Sequence, residues 1–125
     1  ATLSGYGSGN WVMSSADIAY TKVGRLVHLQ GFLTTSSDNS ASGQIAMNLP
    51  FTTATLTSTA DSHKSMIQMD NHGDGGIENP FLTLTYGQSV VWIGNVTDTG
   101  SNEVVDESRV DATFRFNVDL TYIAA

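Results

Sequence analysis

The chain lacks cysteine and has only two prolines among its 125 residues. The absence of cysteine excludes disulfide bonds, thiolate zinc sites and cysteine nucleophiles. Basic residues are also scarce: five stand against twelve acidic residues, which gives a formal net charge of −7. Because affinity for a nucleic acid comes mainly from basic side chains that neutralise phosphates, we predict that the chain does not bind nucleic acid.

Long apolar segments and helical patterns are missing as well. No apolar run approaches the roughly 20 residues that a membrane-spanning helix requires, so we predict no membrane insertion. The helix formers Lys, Glu and Arg are few, whereas Ser, Thr and Gly are abundant. No window shows apolar residues with the helical period of about 3.6 residues. The composition therefore indicates a β protein.

The sequence does contain apolar and polar residues in alternation. In the run 114–122, two Phe, a Val, a Leu and a Tyr alternate with Arg, Asn, Asp and Thr, which is typical of a strand with one buried and one solvated face. Further strands are predicted at 16–23, 25–34, 44–48, 64–69, 81–86 and 89–94, with weaker candidates at 11–13, 54–59 and 102–105. Short strands separated by turns predict an all-β, antiparallel β-sandwich of the jelly-roll type.

One domain accounts for the whole chain. Its length suffices to bury a hydrophobic core without metals or disulfides, and no change in composition marks a second domain. Residues 1–10 are rich in Gly and Ser and predict a flexible lead-in from an upstream domain. A single β-sandwich domain follows over residues 11–125. Trp92 stands in an almost wholly apolar run and is predicted to lie in the core.

Two motifs in the first half of the chain resemble a known family. From Tyr20 the chain reads YTKVGRLVHLQGFLTT, and residues 42–51 read SGQIAMNLPF. This order resembles the small β domain at the C-terminal ends of phage tail fibres, tailspikes and related virion proteins. The matching positions are Tyr20, Thr21, Lys22, Gly24, Val27, Gly31, Leu49, Pro50 and Phe51. Residues 18–51 and the closing strand carry the resemblance, which also favours Trp11 as a packing anchor; residues 52–110 match no pattern.

The resemblance implies a non-enzymatic part of the virion, extracellular after release. It would be the distal region of a tail fibre or spike, assembled as a homotrimer, which engages a host-surface glycan or protein. One alternative is a head-decoration or capsid-associated jelly roll that binds only other virion subunits. Another alternative is a carbohydrate-binding module attached to an enzyme.

Three polar loops, 36–43, 71–78 and 98–107, are the predicted contact surfaces, because loops on a rigid sandwich carry recognition. The candidate ligand- or receptor-binding residues in them are Asp38, Asn39, Asn71, His72, Asp74, Glu78, Asp98, Asn102 and Glu103. The polar face of the last strand, with Arg115, Asn117 and Asp119, is a candidate contact between subunits; the alternative is a solvated face.

The segment 70–78 reads DNHGDGGIE and resembles a calcium loop in composition. In an EF-hand alignment Phe81 would occupy the position of the closing acid, and no helices flank the segment, so an EF-hand is excluded. The simplest interpretation is a solvated turn whose glycines supply positive φ. We predict no cofactor, and a looser oxygen site for Ca²⁺, formed by Asp70, Asp74 and Glu78, stays open as the alternative.

Overall fold

The computed structural model describes residues 3–5, 8–55, 63–70, 73 and 76–125. These residues form strands, turns and one short 3₁₀ helix, Glu107–Arg109, and no α-helix. The strands are β1 (Leu3–Gly5), β2 (Val12–Val23), β3 (Leu26–Ser37), β4 (Ile45–Asn48), β5 (His63–Met66), β6 (Met69–Asp70), β7 (Asn79–Leu84), β8 (Val90–Val96), β9 (Asn102–Val104) and β10 (Arg115–Ile123).

Two antiparallel sheets pack against each other, so the predicted all-β sandwich is confirmed. One sheet has the strand order β1-β4-β8-β7-β5, with β9 also paired to β8, and the other has the order β2-β3-β10-β6. The chain passes from one sheet to the other after β1, β3, β5, β6 and β9. Such repeated crossing is typical of jelly-roll proteins. Within the stretch predicted as a lead-in, β1 pairs with β4.

The last strand supplies much of the core, on the face that its alternation predicts. The inward residues are all nearly or fully buried: Phe114, Phe116, Val118, Leu120 and Tyr122. Its other face is exposed. The inward side chains pack in one cluster with Leu82, Leu84 and Ile93 of the facing sheet. The predicted anchor Trp11 is confirmed: it is 4% exposed, and its ring meets that of Phe114 edge-on, with the centroids 5.0 Å apart.

The hairpin of β2 and β3 depends on two glycines. Gly24 has a φ of +59° and opens the two-residue turn between the paired residues Val23 and Leu26, a position that type II′ turns reserve for glycine. Gly31 has a φ of +149° in the middle of β3, and a Cβ built there would lie 1.9 Å from the carbonyl oxygen of Asp17 on β2. Any larger residue at position 31 would therefore push the two strands apart.

The predicted strand 64–69 is wrong as a single element, because the chain changes sheet within it. β5 pairs with β7 in the first sheet, whereas β6 pairs with β10 in the second. The connecting residues bond to both sheets: the N–H of Ile67 donates to Pro80 O, and the N–H of Asn117 donates to Gln68 O. The predicted strands 11–13 and 16–23 form one continuous strand, β2. For the candidate 54–59, residues 54 and 55 are not in a strand, and the remainder lies outside the described residues.

Candidate functional site

Hydrogen bonds connect the described parts of the three predicted loops. The N–H of Gly43, at the end of the first loop, donates to the Glu107 carboxylate over 2.8 Å. Arg109, which follows the third loop, donates from Nη2 to the carbonyl oxygen of Gly76 in the second loop over 3.2 Å. The structure therefore joins loops that are up to 64 residues apart in sequence.

A buried asparagine holds two of these loops in place. Asn95 on β8 has no exposed surface, and its Oδ1 accepts hydrogen bonds from the N–H groups of Glu78 (3.0 Å) and Asn79 (2.8 Å). Its Nδ2 donates to Glu103 Oε1 (2.8 Å) and to Gly76 O (3.4 Å). All four hydrogen-bonding positions of the side-chain amide are thus used, as a buried polar group requires.

Three predicted binding residues meet beside this asparagine: Glu78, Asp98 and Glu103. The pKa of Glu78 is raised, chiefly because its protonated carboxyl can donate a hydrogen bond to Asp98, with desolvation and the charges of Asp98 and Glu103 adding to the effect. The pKa of Glu103 is lowered by the hydrogen bond from Asn95 and by Arg109, whose Nη1 lies 2.7 Å from Glu103 Oε1. Glu103 is thus held as a carboxylate, while Glu78 binds a proton more readily than a free glutamate does.

Replacing Glu78 by Gln is expected to stabilise the protein at about pH 7 relative to the unmodified chain and to give little gain at about pH 4. The raised pKa means that the folded state binds this proton more strongly than the unfolded state, so stability is lost as pH rises from 4.5 through the folded-state pKa. A glutamine does not titrate and escapes that loss. Thermal unfolding at several pH values measures the effect as a difference in melting temperature.

Glu103→Gln serves as the control with the opposite sign. Its carboxylate has a lowered pKa, so its stabilisation is present above the unfolded-state pKa and is lost as pH falls through the folded-state value. The variant should therefore melt at a lower temperature near neutral pH, by a margin that shrinks in acid. A melting-temperature difference for Glu78→Gln that does not change with pH would contradict the carboxyl pairing.

The other predicted binding residues lie elsewhere or outside the described part. Asp38 and Asn39 shape their own turn: Asp38 Oδ1 accepts from the N–H of Ser40, and Asn39, with a φ of +48°, donates from Nδ2 to Asn10 O. The predicted residues Asn71, His72 and Asp74 lie outside the described residues. For the predicted calcium ligands, exposed Asp70 ends β6 in one sheet, whereas Glu78 precedes β7 in the other. Among the residues that are described, no three His, Asp or Glu side chains form a group that could hold a metal ion.

An open groove of about 320 Å³ runs across the outer face of the six-stranded sheet, and residues 102–104 of the third loop form part of its wall. Its lining comes from β5, β7, β8, β9 and the residue before β4, and consists of Gln44, Lys64, Phe81, Thr83, Trp92, Gly94, Asn102, Glu103 and Val104. Two of the predicted binding residues, Asn102 and Glu103, therefore border this groove. The other lining residues were not predicted to form a site.

Trp92 is a half-buried residue of this groove, and its predicted place in the core is wrong. On β8, Val91 and Ile93 are fully buried and belong to the core cluster, so Trp92 between them points to the outer face. There it stands in register with Ala46 of β4 and Thr83 of β7. In a run where nearly every residue is apolar, periodicity does not decide which face is buried. The sequence signal that could have indicated the outward position is that Val91 and Ile93 share one face of the strand, whereas Trp92 and Gly94 share the other.

The floor of the groove is shaped by Phe81 and Gly94. A Cβ built on Gly94 would lie 2.5 Å from Phe81 Cζ, so only glycine lets the phenyl ring lie over β8. Lys64 extends over the same ring, with Nζ 5.4 Å from its centroid. Gln44 Nε2 donates to Ile93 O over 3.2 Å, which fixes this amide at the groove wall. Aromatic rings surrounded by amide, hydroxyl and ammonium groups suit a ligand that has both apolar faces and hydroxyl groups.

No protein-family model, curated protein or solved structure matches the chain. The resemblance to phage tail-fibre domains therefore stays a prediction from the motifs. None of the described residues belongs to a helix with the length and apolar character of a membrane span.

Proposed function

We propose that this chain is a non-enzymatic receptor-binding domain that recognises a host-surface glycan in the groove beside Trp92. The observation that carries the proposal is a half-buried tryptophan on an open sheet face, next to Phe81 and ringed by polar side chains. The C–H face of a sugar ring can pack on the indole, while its hydroxyl groups bond to side chains such as Gln44, Thr83 and Asn102. Residues 102–104 of the third loop line the groove, and the loops joined to it would extend the contact.

The motif resemblance supports the setting of this function: the distal part of a phage tail fibre or spike, assembled as a homotrimer. The outer face of the four-stranded sheet supports assembly. There Val23, Leu26 and Ile123 stand side by side across three strands, 72%, 52% and 46% exposed. On the same face Arg115 lies over the ring of Phe32, 4.2 Å from its centroid. Adjacent exposed apolar side chains gain stability when a second subunit covers them.

Trp92→Ala is expected to weaken glycan binding by about 30-fold or more, because truncation of a tryptophan at the centre of an interface commonly costs about 2 kcal/mol or more. The measurement is binding to an array of bacterial surface polysaccharides, followed by titration with those that bind. Tyr20→Ala is the matched control, since Tyr20 is also an accessible aromatic, 55% exposed, but packs on Phe51 away from the groove. The control should bind as the unmodified chain does.

Failure of the unmodified chain to bind any glycan on the array, or equal binding by Trp92→Ala, would refute the groove as a glycan site. Light scattering of the unmodified chain, taken together with the binding result, separates the alternatives. A stable trimer that binds neither glycans nor host cells favours a head-decoration or capsid-associated subunit. A monomer that binds polysaccharide favours a carbohydrate-binding module.

A further inference from the structure

We infer that the glycan bound in the groove carries an anionic group, a carboxylate or a phosphate, which pairs with Lys64. The inference rests on the proposed function, because it names the chemical class of ligand for the same groove. In a chain with a formal net charge of −7 and five basic residues, Lys64 is the basic residue that lines this groove.

The acidic residue that lines the groove already has partners within the protein. Glu103 accepts a hydrogen bond from Asn95 Nδ2 over 2.8 Å and forms an ion pair with Arg109 over 2.7 Å. The ion pair offsets much of the negative charge of Glu103 and so weakens its attraction to Lys64. The ion pairs among the described residues join Glu103 with Arg109 and His28 with Asp119. Within the described part of the chain, Lys64 thus has no carboxylate in ion-pair range.

The ammonium group of Lys64 lies at the wall of the groove, over the ring of Phe81. Its Nζ lies 5.4 Å from the centroid of the Phe81 ring, a cation–π contact that restricts the long side chain to the groove wall. A phenyl ring does not neutralise the charge, so the ammonium keeps its capacity for an anion. A sugar stacked on Trp92 would place its substituents beside this wall. The groove thus combines a stacking surface with a positioned positive charge.

Lys22 is a comparable lysine whose ammonium group forms a hydrogen bond within the protein. Its Nζ lies 5.3 Å from the centroid of the Phe51 ring, almost the same geometry as that of Lys64. In addition, it donates a hydrogen bond to Gly24 O over 2.6 Å, and it does not line the groove. The two lysines therefore form a matched pair for mutation, with the same aromatic contact and the same change in net charge.

The test uses a polysaccharide array with neutral, uronic-acid-containing and phosphate-containing members, together with carboxyl-reduced forms of the uronic polymers. We expect binding to anionic members, with about a tenfold loss for Lys64→Gln and no more than about a twofold change for Lys22→Gln, given the strength of charge-assisted hydrogen bonds at accessible sites. If the anion is a carboxylate, its reduction to an alcohol should weaken binding by a similar factor. If it is a phosphate, the phosphate-containing members bind instead. Binding should also weaken as salt is added.

The outcomes separate this inference from the function on which it rests. Binding of neutral polysaccharides that is lost in Trp92→Ala but kept in Lys64→Gln would overturn the anionic ligand and leave the glycan site standing. Equal losses for Lys64→Gln and Lys22→Gln would also overturn it, since overall charge would then be the cause. Absence of binding to every member would refute the glycan site and the inference together.

Discussion

Gly31→Ala is expected to lower the free energy of unfolding by about 3 kcal/mol or more, at the upper end of what single substitutions do. Two costs combine at this position. The φ of +149° lies in a region that L-residues rarely adopt, and the added Cβ would meet the carbonyl oxygen of Asp17 at 1.9 Å. The carbonyl oxygen belongs to the backbone, and the Cβ is fixed by its bond to Cα, so neither can rotate away, and the β2–β3 hairpin must open to make room.

Gly24→Ala separates the two costs. Gly24 also has a positive φ, +59°, but a Cβ built there has no atom within 4 Å. We therefore expect this control to lose only about 1 kcal/mol, the conformational cost of an alanine at positive φ. Urea denaturation followed by circular dichroism measures both variants. Equal losses would show that the strands adapt to a side chain at position 31 and that the close approach is not limiting.

Asn95→Leu is expected to cost about 3 kcal/mol and to loosen the loops that border the groove. Leucine has a similar volume but no hydrogen-bonding groups, so the N–H groups of Glu78 and Asn79 and the Glu103 carboxylate would lose their common partner. A buried group left without its hydrogen bond costs about 1–3 kcal/mol, and more when the group is charged. Several such losses at one position explain why the effect should be large.

Denaturant unfolding gives the change in stability, and amide hydrogen exchange at Glu78 and Asn79 shows whether those N–H groups have lost protection. Asn79→Ala is the control, because the side chain of exposed Asn79 makes one hydrogen bond to the described residues, from Nδ2 to Val96 O, and exposed substitutions usually change stability by less than about 0.5 kcal/mol. Unchanged exchange at both amides in Asn95→Leu would contradict the role of Asn95 as the link between the loops.

The two positions also differ in how they relate to the proposed glycan site. Gly31 lies in the sheet opposite the groove, so its variant tests the sandwich as a whole. Asn95 lies on β8, the strand that also carries Trp92 and Gly94 of the groove. A variant that keeps the fold but disturbs the Asn95 network should therefore weaken binding only through residues held by that network, such as Glu103. Comparing this variant with Trp92→Ala therefore distinguishes residues that hold the groove in shape from residues that would contact the ligand directly.

The joined loops depend on tertiary contacts that no local sequence pattern indicates. Sequence reasoning selected the loops 36–43, 71–78 and 98–107 because polar, glycine-rich segments fill turns. It had no means of showing that Glu107 would bond to Gly43 or Arg109 to Gly76, since such pairings depend on how strands far apart in the chain are ordered in the sheets. Asn95 was missed because it stands within a strand, where a polar residue at a buried position gives no local signal of its partners.

Residue alternation by itself determined the β class, the sandwich, the buried face of β10 and the break between β2 and β3 at Gly24, because those features depend on neighbours in sequence. Only the tertiary structure decided that residues 64–69 serve two sheets and that Trp92 faces outward. In both cases the local pattern was compatible with more than one arrangement. The choice came from packing: Val91 and Ile93 fill the core opposite β10, which leaves Trp92 on the outer face, over the groove.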